Sequence, residues 1–128
     1  MSGLPGARVL VADDYPLIAT LLRTTFEEEG CEVVVETSAD RVAEVVARER
    51  PDLAIVDAHM QPRERFHALQ ALNDLAGESR PAIIVISGDD EPAMRRRAIE
   101  LGADAYLVKP WDHDELLALA ERLTAARR

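Results

Sequence analysis

Four short apolar runs of this 128-residue chain each end in side chains that can do chemistry. Carboxylates can bind a divalent cation or attack an electrophile, while a hydroxyl and an ammonium can bind phosphoryl oxygens. The ammonium stands out, because Lys109 is the only lysine among 15 basic residues. In chain order, the side chains are Asp13, Asp14, Asp57, Ser87 and Lys109.

The apolar runs alternate with segments of helical hydrophobic spacing, which predicts five strands and five helices. Strict alternation is typical of a parallel sheet that is covered by helices on both faces through right-handed crossovers. We therefore predict an α/β fold of the flavodoxin-like (βα)5 type, a three-layer sandwich with strand order 2-1-3-4-5. The predicted strands cover residues 8–12, 32–36, 53–57, 82–86 and 105–108.

Polar residues and glycines mark the predicted ends of the helices. Ser38 is predicted to cap the second helix, Phe66 to lie within the third, and Gly77 to end the third. Asp112 and Glu115 have the spacing of a capping box at the start of the last helix.

Size and composition favour one domain over residues 8–124, with a flexible N-terminal tail over 1–7 and a frayed C-terminus over 125–128. Hydrophobic residues form 48% of the chain and charged residues 30%, as in globular proteins. We expect a cytoplasmic protein with no membrane partner, because the chain has no apolar stretch for a bilayer, no recognisable signal peptide and a single cysteine, Cys31. The net charge of −9 disfavours direct nucleic-acid binding.

Parallel strands bring their carboxyl ends to one edge of a sheet, so the reactive side chains are expected to converge there. Asp13, Asp14 and Asp57 would repel one another unless a cation lay between them, and their hard oxygen ligands suit Mg²⁺. With its charge balanced, Asp57 could attack phosphorus and form an aspartyl phosphate. Lys109 and Ser87 would then bind the phosphoryl oxygens.

The whole chain resembles the receiver domain of two-component response regulators, in particular the chemotaxis-regulator type. The acids after the first and third strands carry the resemblance, together with Ser87-Gly88 and the stretch Gly102–Pro110 that contains Tyr106. The resemblance implies that a histidine kinase or phosphotransfer protein phosphorylates Asp57.

The resemblance also implies how the site is built. Mg²⁺ would be held by Asp14, Asp57 and the backbone carbonyl of His59, and Asp13 would act mainly through water. The bond between Lys109 and Pro110 would be cis. In this family the protein is a phosphoacceptor switch that assists its own phosphorylation and dephosphorylation, and it is not otherwise an enzyme.

Switching in the family couples the Ser87 hydroxyl to the Tyr106 ring, which turns inward behind it. The surface that responds would be the fourth helix, fifth strand and fifth helix, where Arg95, Arg96 and Arg97 lie. The resemblance implies that this surface binds a downstream protein target or a fused output domain. It also implies a phosphorylation-dependent homodimer. Both a stand-alone regulator and a receiver excised from a longer protein fit the sequence.

The segment after Asp57 departs from the family pattern. Gln61 and Arg65 replace the usual proline and glycine, and Pro62 comes one position late, so the His59–Arg65 loop is expected to follow a different path. His59 and Asp89 occupy positions whose side chains tune dephosphorylation in the family that the chain resembles, and we expect them to alter hydrolysis of the phosphoryl group.

Three other functions compete with the phosphoacceptor switch. A flavin or nucleotide carrier of this fold would need phosphate-binding N–H groups after the first strand, where Asp13 and Asp14 would repel a phosphate. An aspartate-nucleophile phosphatase generally needs a second aspartate where this chain has His59. The altered loop instead supports a receiver-like interaction module that signals without phosphorylation.

Overall fold

The computed structural model describes residues 3–75 and 80–127, and within these ranges five strands alternate with five helices. The strands are β1 (Arg8–Ala12), β2 (Glu32–Glu36), β3 (Leu53–Asp57), β4 (Ala82–Ser87) and β5 (Ala105–Val108). The helices are α1 (Pro16–Glu28), α2 (Val42–Glu49), α3 (His67–Asn73), α4 (Pro92–Glu100) and α5 (His113–Ala126). A single 3₁₀ turn over Ala39–Arg41 leads into α2.

The strands form one parallel sheet in the order β2-β1-β3-β4-β5, which confirms the predicted flavodoxin-like topology. The register sets the carboxyl ends of the central strands level with one another. Ala12 at the end of β1 pairs with Val56, and Asp57 at the end of β3 pairs with Ile86. Because β1 and β3 are neighbours, the acids that follow them meet at the centre of the edge.

Alternate residues of each strand pack on opposite faces of the sheet, as the pleat requires. Val9 and Val11 of β1 pack with the buried residues of α1 and α5, whereas Leu10 and Ala12 pack with those of α2 and α3. The two apolar clusters hold the sheet rigidly between helical layers. None of the helices in the described ranges is long and apolar enough to cross a bilayer.

The helix ends confirm some predictions and correct others. The Asp112 carboxylate accepts a hydrogen bond from the Glu115 amide, as the capping box predicts. Ser38 makes no capping bond with its side chain, and its amide donates to the Glu36 carboxylate. Phe66 precedes α3 in a left-handed conformation, with φ of 66°, and does not lie within the helix. Gly77 lies outside the described residues.

The flexibility of the N-terminal tail stays a prediction, but the part of the tail that the structure describes packs on the domain. Leu4 is fully buried against the α1 and α5 side of the sheet. Its carbonyl accepts a hydrogen bond from the Cys31 thiol, and the Gly6 amide donates to the Gly30 carbonyl. The tail packs because apolar burial and backbone pairing with the turn before β2 offset its loss of chain entropy. At the other end α5 continues to Ala126, two residues past the predicted domain boundary.

Replacement of Leu4 by alanine is expected to lower the free energy of unfolding by about 2–4 kcal/mol, because it removes buried methyl groups and leaves a cavity. Urea denaturation followed by circular dichroism measures this change. Leu17→Ala is the matched control, since Leu17 is 70% exposed, and it should change stability by less than about 0.5 kcal/mol. Equal effects of the two substitutions would show that the tail is not part of the core.

Candidate functional site

The three predicted acids come together at the carboxyl edge of the sheet. One carboxylate oxygen from each of Asp13, Asp14 and Asp57 lies within 4.8 Å of the other two. Asp13 and Asp14 directly follow β1, and Asp57 is the last residue of β3, so the adjacency of these strands creates the cluster. The arrangement concentrates negative charge that a divalent cation could balance.

The Lys109 ammonium forms an ion pair with the Asp57 carboxylate. Its Nζ lies 3.1 Å from Oδ2 of Asp57, and the His59 amide donates to Oδ1 at 2.9 Å. The peptide bond between Lys109 and Pro110 is cis, as the resemblance implies. Both oxygens of Asp57 are therefore oriented by donors that come from separate strand ends.

Asp13 is the most buried member of the cluster, with 1% of its surface exposed. The pKa of this carboxyl is raised from 3.8 to about 6, chiefly by burial; the Tyr15 amide and the Lys109 ammonium oppose the rise, and repulsion from Asp57 adds to it. The Tyr15 amide donates to Oδ1 of Asp13 at 2.8 Å. Holding this group ionised at neutral pH thus costs stability, which a bound cation would recover.

The backbone of Asp89 links Ser87 to Tyr106 through two hydrogen bonds. The Asp89 amide donates to Oγ of Ser87 at 3.1 Å, which leaves the serine hydroxyl hydrogen available to another acceptor. The Tyr106 hydroxyl donates to the Asp89 carbonyl at 2.6 Å, and the ring is only 4% exposed. The tyrosine therefore occupies an inward position behind the serine.

The loop after Asp57 is pinned by contacts to other parts of the chain. The Gln61 amide donates to Oδ2 of Asp14 at 3.0 Å, and the Gln61 carbonyl accepts the Ala39 amide at 3.1 Å. Arg63 pairs with Asp40, and the bond between Gln61 and Pro62 is cis. These contacts attach one of the predicted metal ligands to the loop. The assignment of the His59 carbonyl as a metal ligand stays a prediction.

Arg65 is a site residue whose role the sequence reasoning missed. It lines a cleft of about 460 Å³ together with Asp57, His59, Ser87 and Asp89. Its guanidinium Nη1 lies 3.1 Å from Oδ2 of Asp89. The signal that could have revealed it was the replacement of a glycine by a cation eight residues after Asp57.

Comparisons with known proteins identify the family of this fold and site. The family model described as the response regulator receiver domain matches residues 9–121. The chain belongs to the response regulator receiver family. The receiver domain is 34% identical over 115 residues to the transcriptional regulatory protein PdtaR of Mycobacterium tuberculosis, covering 89% of this chain and 55% of PdtaR. It thus spans about half the length of that curated relative.

Solved structures show the same architecture. The receiver domain aligns with that of the Francisella response regulator 1452 with a TM-score of 0.87 and 26% identity, covering 96% of this chain and 100% of the other. It aligns with the receiver domain of the Pseudomonas aeruginosa PAO1 sensor histidine kinase PA1611 with a TM-score of 0.83 and 20% identity, covering 94% and 98%. The PA1611 structure has a magnesium ion coordinated in its active site cleft. At 20% identity this likeness shows the shared fold alone.

The raised pKa of Asp13 predicts how stability depends on pH without divalent metal. Because the folded pKa of about 6 exceeds the usual 3.8, the native state holds an extra proton between these values, and stability falls as pH rises through them. Asp13→Asn removes this penalty, so in EDTA at pH 7.5 it should be about 1–3 kcal/mol more stable than wild type.

The difference between the two proteins should shrink towards pH 4, where Asp13 of the native wild type is protonated. Urea denaturation at a series of pH values measures it. Asp74→Asn, at an exposed position after α3, is the control and should leave stability unchanged. A less stable Asp13→Asn protein at pH 7.5, or a difference that does not grow with pH, would contradict this account of the cluster.

Proposed function

We propose that this receiver domain is a phosphoacceptor switch that is phosphorylated on Asp57. The observation that carries the proposal is the position of Asp57, whose carboxylate is bound by Lys109 at 3.1 Å and lies beside Asp13 and Asp14. A nucleophilic carboxylate needs its negative charge balanced before it can approach a phosphoryl group; Lys109 supplies part of that balance, and a divalent cation in the acidic cluster would supply the rest.

The transfer step follows from the donors around Asp57. An oxygen of Asp57 forms a bond to phosphorus while the phosphorus–nitrogen bond of a donor phosphohistidine breaks. The electron pair of the broken bond stays on that nitrogen, and the imidazole leaves as a neutral ring because its other nitrogen already carries a proton in the donor. Lys109 then shifts its pairing from the carboxylate to a phosphoryl oxygen, and the Ser87 hydroxyl donates to a second one.

The donor set of the acidic cluster fits Mg²⁺, which takes oxygen ligands and usually keeps several waters. Asp13, Asp14 and Asp57 would hold the ion, with the His59 carbonyl as the further ligand that the family resemblance implies. When bound, the ion supplies positive charge that offsets the charge of the phosphoryl oxygens. Asp13 benefits as well, because a nearby cation opposes the rise in its pKa that burial causes.

The switch would pass from the site to the surface formed by α4, β5 and α5. Arg95 of α4 donates to the Tyr106 carbonyl at 3.1 Å, and its guanidinium lies 5.1 Å from the centre of the Tyr106 ring. Tyr106 is also bonded to the Asp89 backbone beside Ser87. Movement of the Ser87 hydroxyl towards a phosphoryl group would therefore alter the packing of α4 against β5.

The partners follow from this role. The phosphoryl donor is a cytoplasmic histidine kinase or phosphotransfer protein, and the recipient of the signal is a downstream protein or a fused output domain. PdtaR, which is about twice as long as this chain and is named as a transcriptional regulatory protein, supports an output domain. A phosphorylation-dependent homodimer through α4, β5 and α5 is a further proposed contact.

Incubation with Mg²⁺ and acetyl phosphate should add one phosphoryl group to the wild-type protein and none to Asp57→Ala. Intact mass spectrometry detects the adduct, and hydroxylamine should remove it, because an acyl phosphate is attacked at its carbonyl carbon. Lys109→Ala should slow labelling by about tenfold or more, since it removes a charge-assisted hydrogen bond.

The control for loss of negative charge is Asp74→Asn, which should label like wild type. A wild-type protein that gains no Asp57-dependent adduct, from acetyl phosphate or from a cognate kinase, would favour the interaction module that signals without phosphorylation.

His59 and Asp89 are expected to set the lifetime of the phosphoryl group. His59 is exposed and lines the cleft with Asp89, whose pKa is lowered by the Glu91 amide and then by Arg65, so that it stays ionised. Each can accept a hydrogen bond from an attacking water. His59→Ala and Asp89→Ala should therefore slow loss of phosphate by about threefold or more, as timed by intact mass after removal of the donor.

His67→Ala is the control, because His67 begins α3 and pairs with Glu64 and Asp40. If both test variants lose phosphate as fast as wild type, neither side chain takes part in hydrolysis.

A further inference from the structure

Arg65 lines the same cleft as Asp57, the residue proposed to be phosphorylated. The cleft that it lines is strongly acidic, since four carboxylates face it and Arg65 is its only arginine or lysine in the described part of the chain. A phosphoryl group on Asp57 would meet repulsion from the other three acids at short range. The four acids are Asp57, Asp89, Asp90 and Glu91.

The present partners of Arg65 hold it weakly. Nη1 donates to Oδ2 of Asp89 at 3.1 Å and to the Met94 sulfur at 3.1 Å, and the Arg65 side chain is 44% exposed. A thioether is a poor acceptor, and a half-exposed ion pair contributes little to stability. A phosphoryl group offers several charged oxygens that match the planar guanidinium, so it is the stronger partner.

Asp89 can release Arg65 without losing its own position. Its second oxygen, Oδ1, accepts the Glu91 amide at 2.9 Å, and this bond does not involve Arg65. The Asp89 backbone also binds Oγ of Ser87 and the Tyr106 hydroxyl. The residue that holds Arg65 is therefore the residue that joins the serine to the tyrosine.

We propose that Arg65 is a phosphoryl-binding residue of this site and that Asp89 binds the Arg65 guanidinium until Asp57 is modified. On phosphorylation the guanidinium exchanges the Asp89 carboxylate and the Met94 sulfur for phosphoryl oxygens. The exchange gives the phosphoryl group a second basic partner besides Lys109. It also removes a restraint from the segment between Ser87 and α4. This inference rests on the proposed phosphorylation of Asp57.

The test uses beryllofluoride, a stand-in for the phosphoryl group, titrated with Mg²⁺ and followed by ¹⁹F nuclear magnetic resonance of the bound fluorides. Arg65→Ala should weaken beryllofluoride binding by about tenfold, and Arg65→Lys should weaken it less, because it keeps the charge but loses the fork. Arg48→Ala is the matched control, since Arg48 is an exposed arginine of α2 that pairs with Glu49 and does not line the cleft. It should change binding by less than twofold.

A second pair of variants tests whether Asp89 competes with the phosphoryl group for Arg65. Asp89→Asn should tighten beryllofluoride binding, and the gain should be about threefold larger when Arg65 is present than in the Arg65→Ala background. Equal gains in both backgrounds would show that Asp89 acts only through its own charge, and would overturn the proposed competition for Arg65.

The outcomes separate the two proposals. If wild type and Arg65→Ala bind beryllofluoride equally well and both are labelled on Asp57, the role of Arg65 is overturned and the phosphoacceptor function stands. If wild type binds no beryllofluoride and gains no phosphoryl group, the proposed function fails and the role of Arg65 fails with it.

Discussion

The ion pair between Asp57 and Lys109, set beside two further carboxylates, is the interaction on which the rest of the structure depends. Three carboxylates whose oxygens lie within 4.8 Å of one another repel unless positive charge lies nearby. The lysine comes from a strand end 52 residues away in sequence. The sheet must therefore be rigid and correctly ordered for the charges to balance, and the two apolar layers on its faces provide that rigidity.

The same charge balance gives the site its chemistry. Burial keeps the pKa of Asp13 high, and this group gains most from a cation that is brought into the cluster. Ser87, Asp89 and Tyr106 form a continuous set of hydrogen bonds from the cleft towards α4 and β5. Under the proposed function, these bonds would couple a change of charge at Asp57 to a surface that a partner could bind.

The strands, their order and the convergence of the reactive side chains were predictable, because hydrophobic periodicity and parallel topology determine them. The burial of Leu4 was not predicted, since it depends on a turn near Gly30 that is distant in sequence. Arg65 was noted only as a departure from the family pattern. Its partner Asp89 lies 24 residues away, and the path of the loop is set by Gln61 and Arg63 contacts that no local pattern encodes.

The claim that the acidic cluster is a cation site built around Asp57 is tested most directly by calorimetric titration of Mg²⁺ into the unphosphorylated protein. The account predicts saturable binding of one ion per chain, weakened by about tenfold or more in Asp57→Asn and in Asp14→Asn, since each removes a carboxylate ligand. It is contradicted if wild type binds no Mg²⁺, or if both variants bind it as tightly as wild type does.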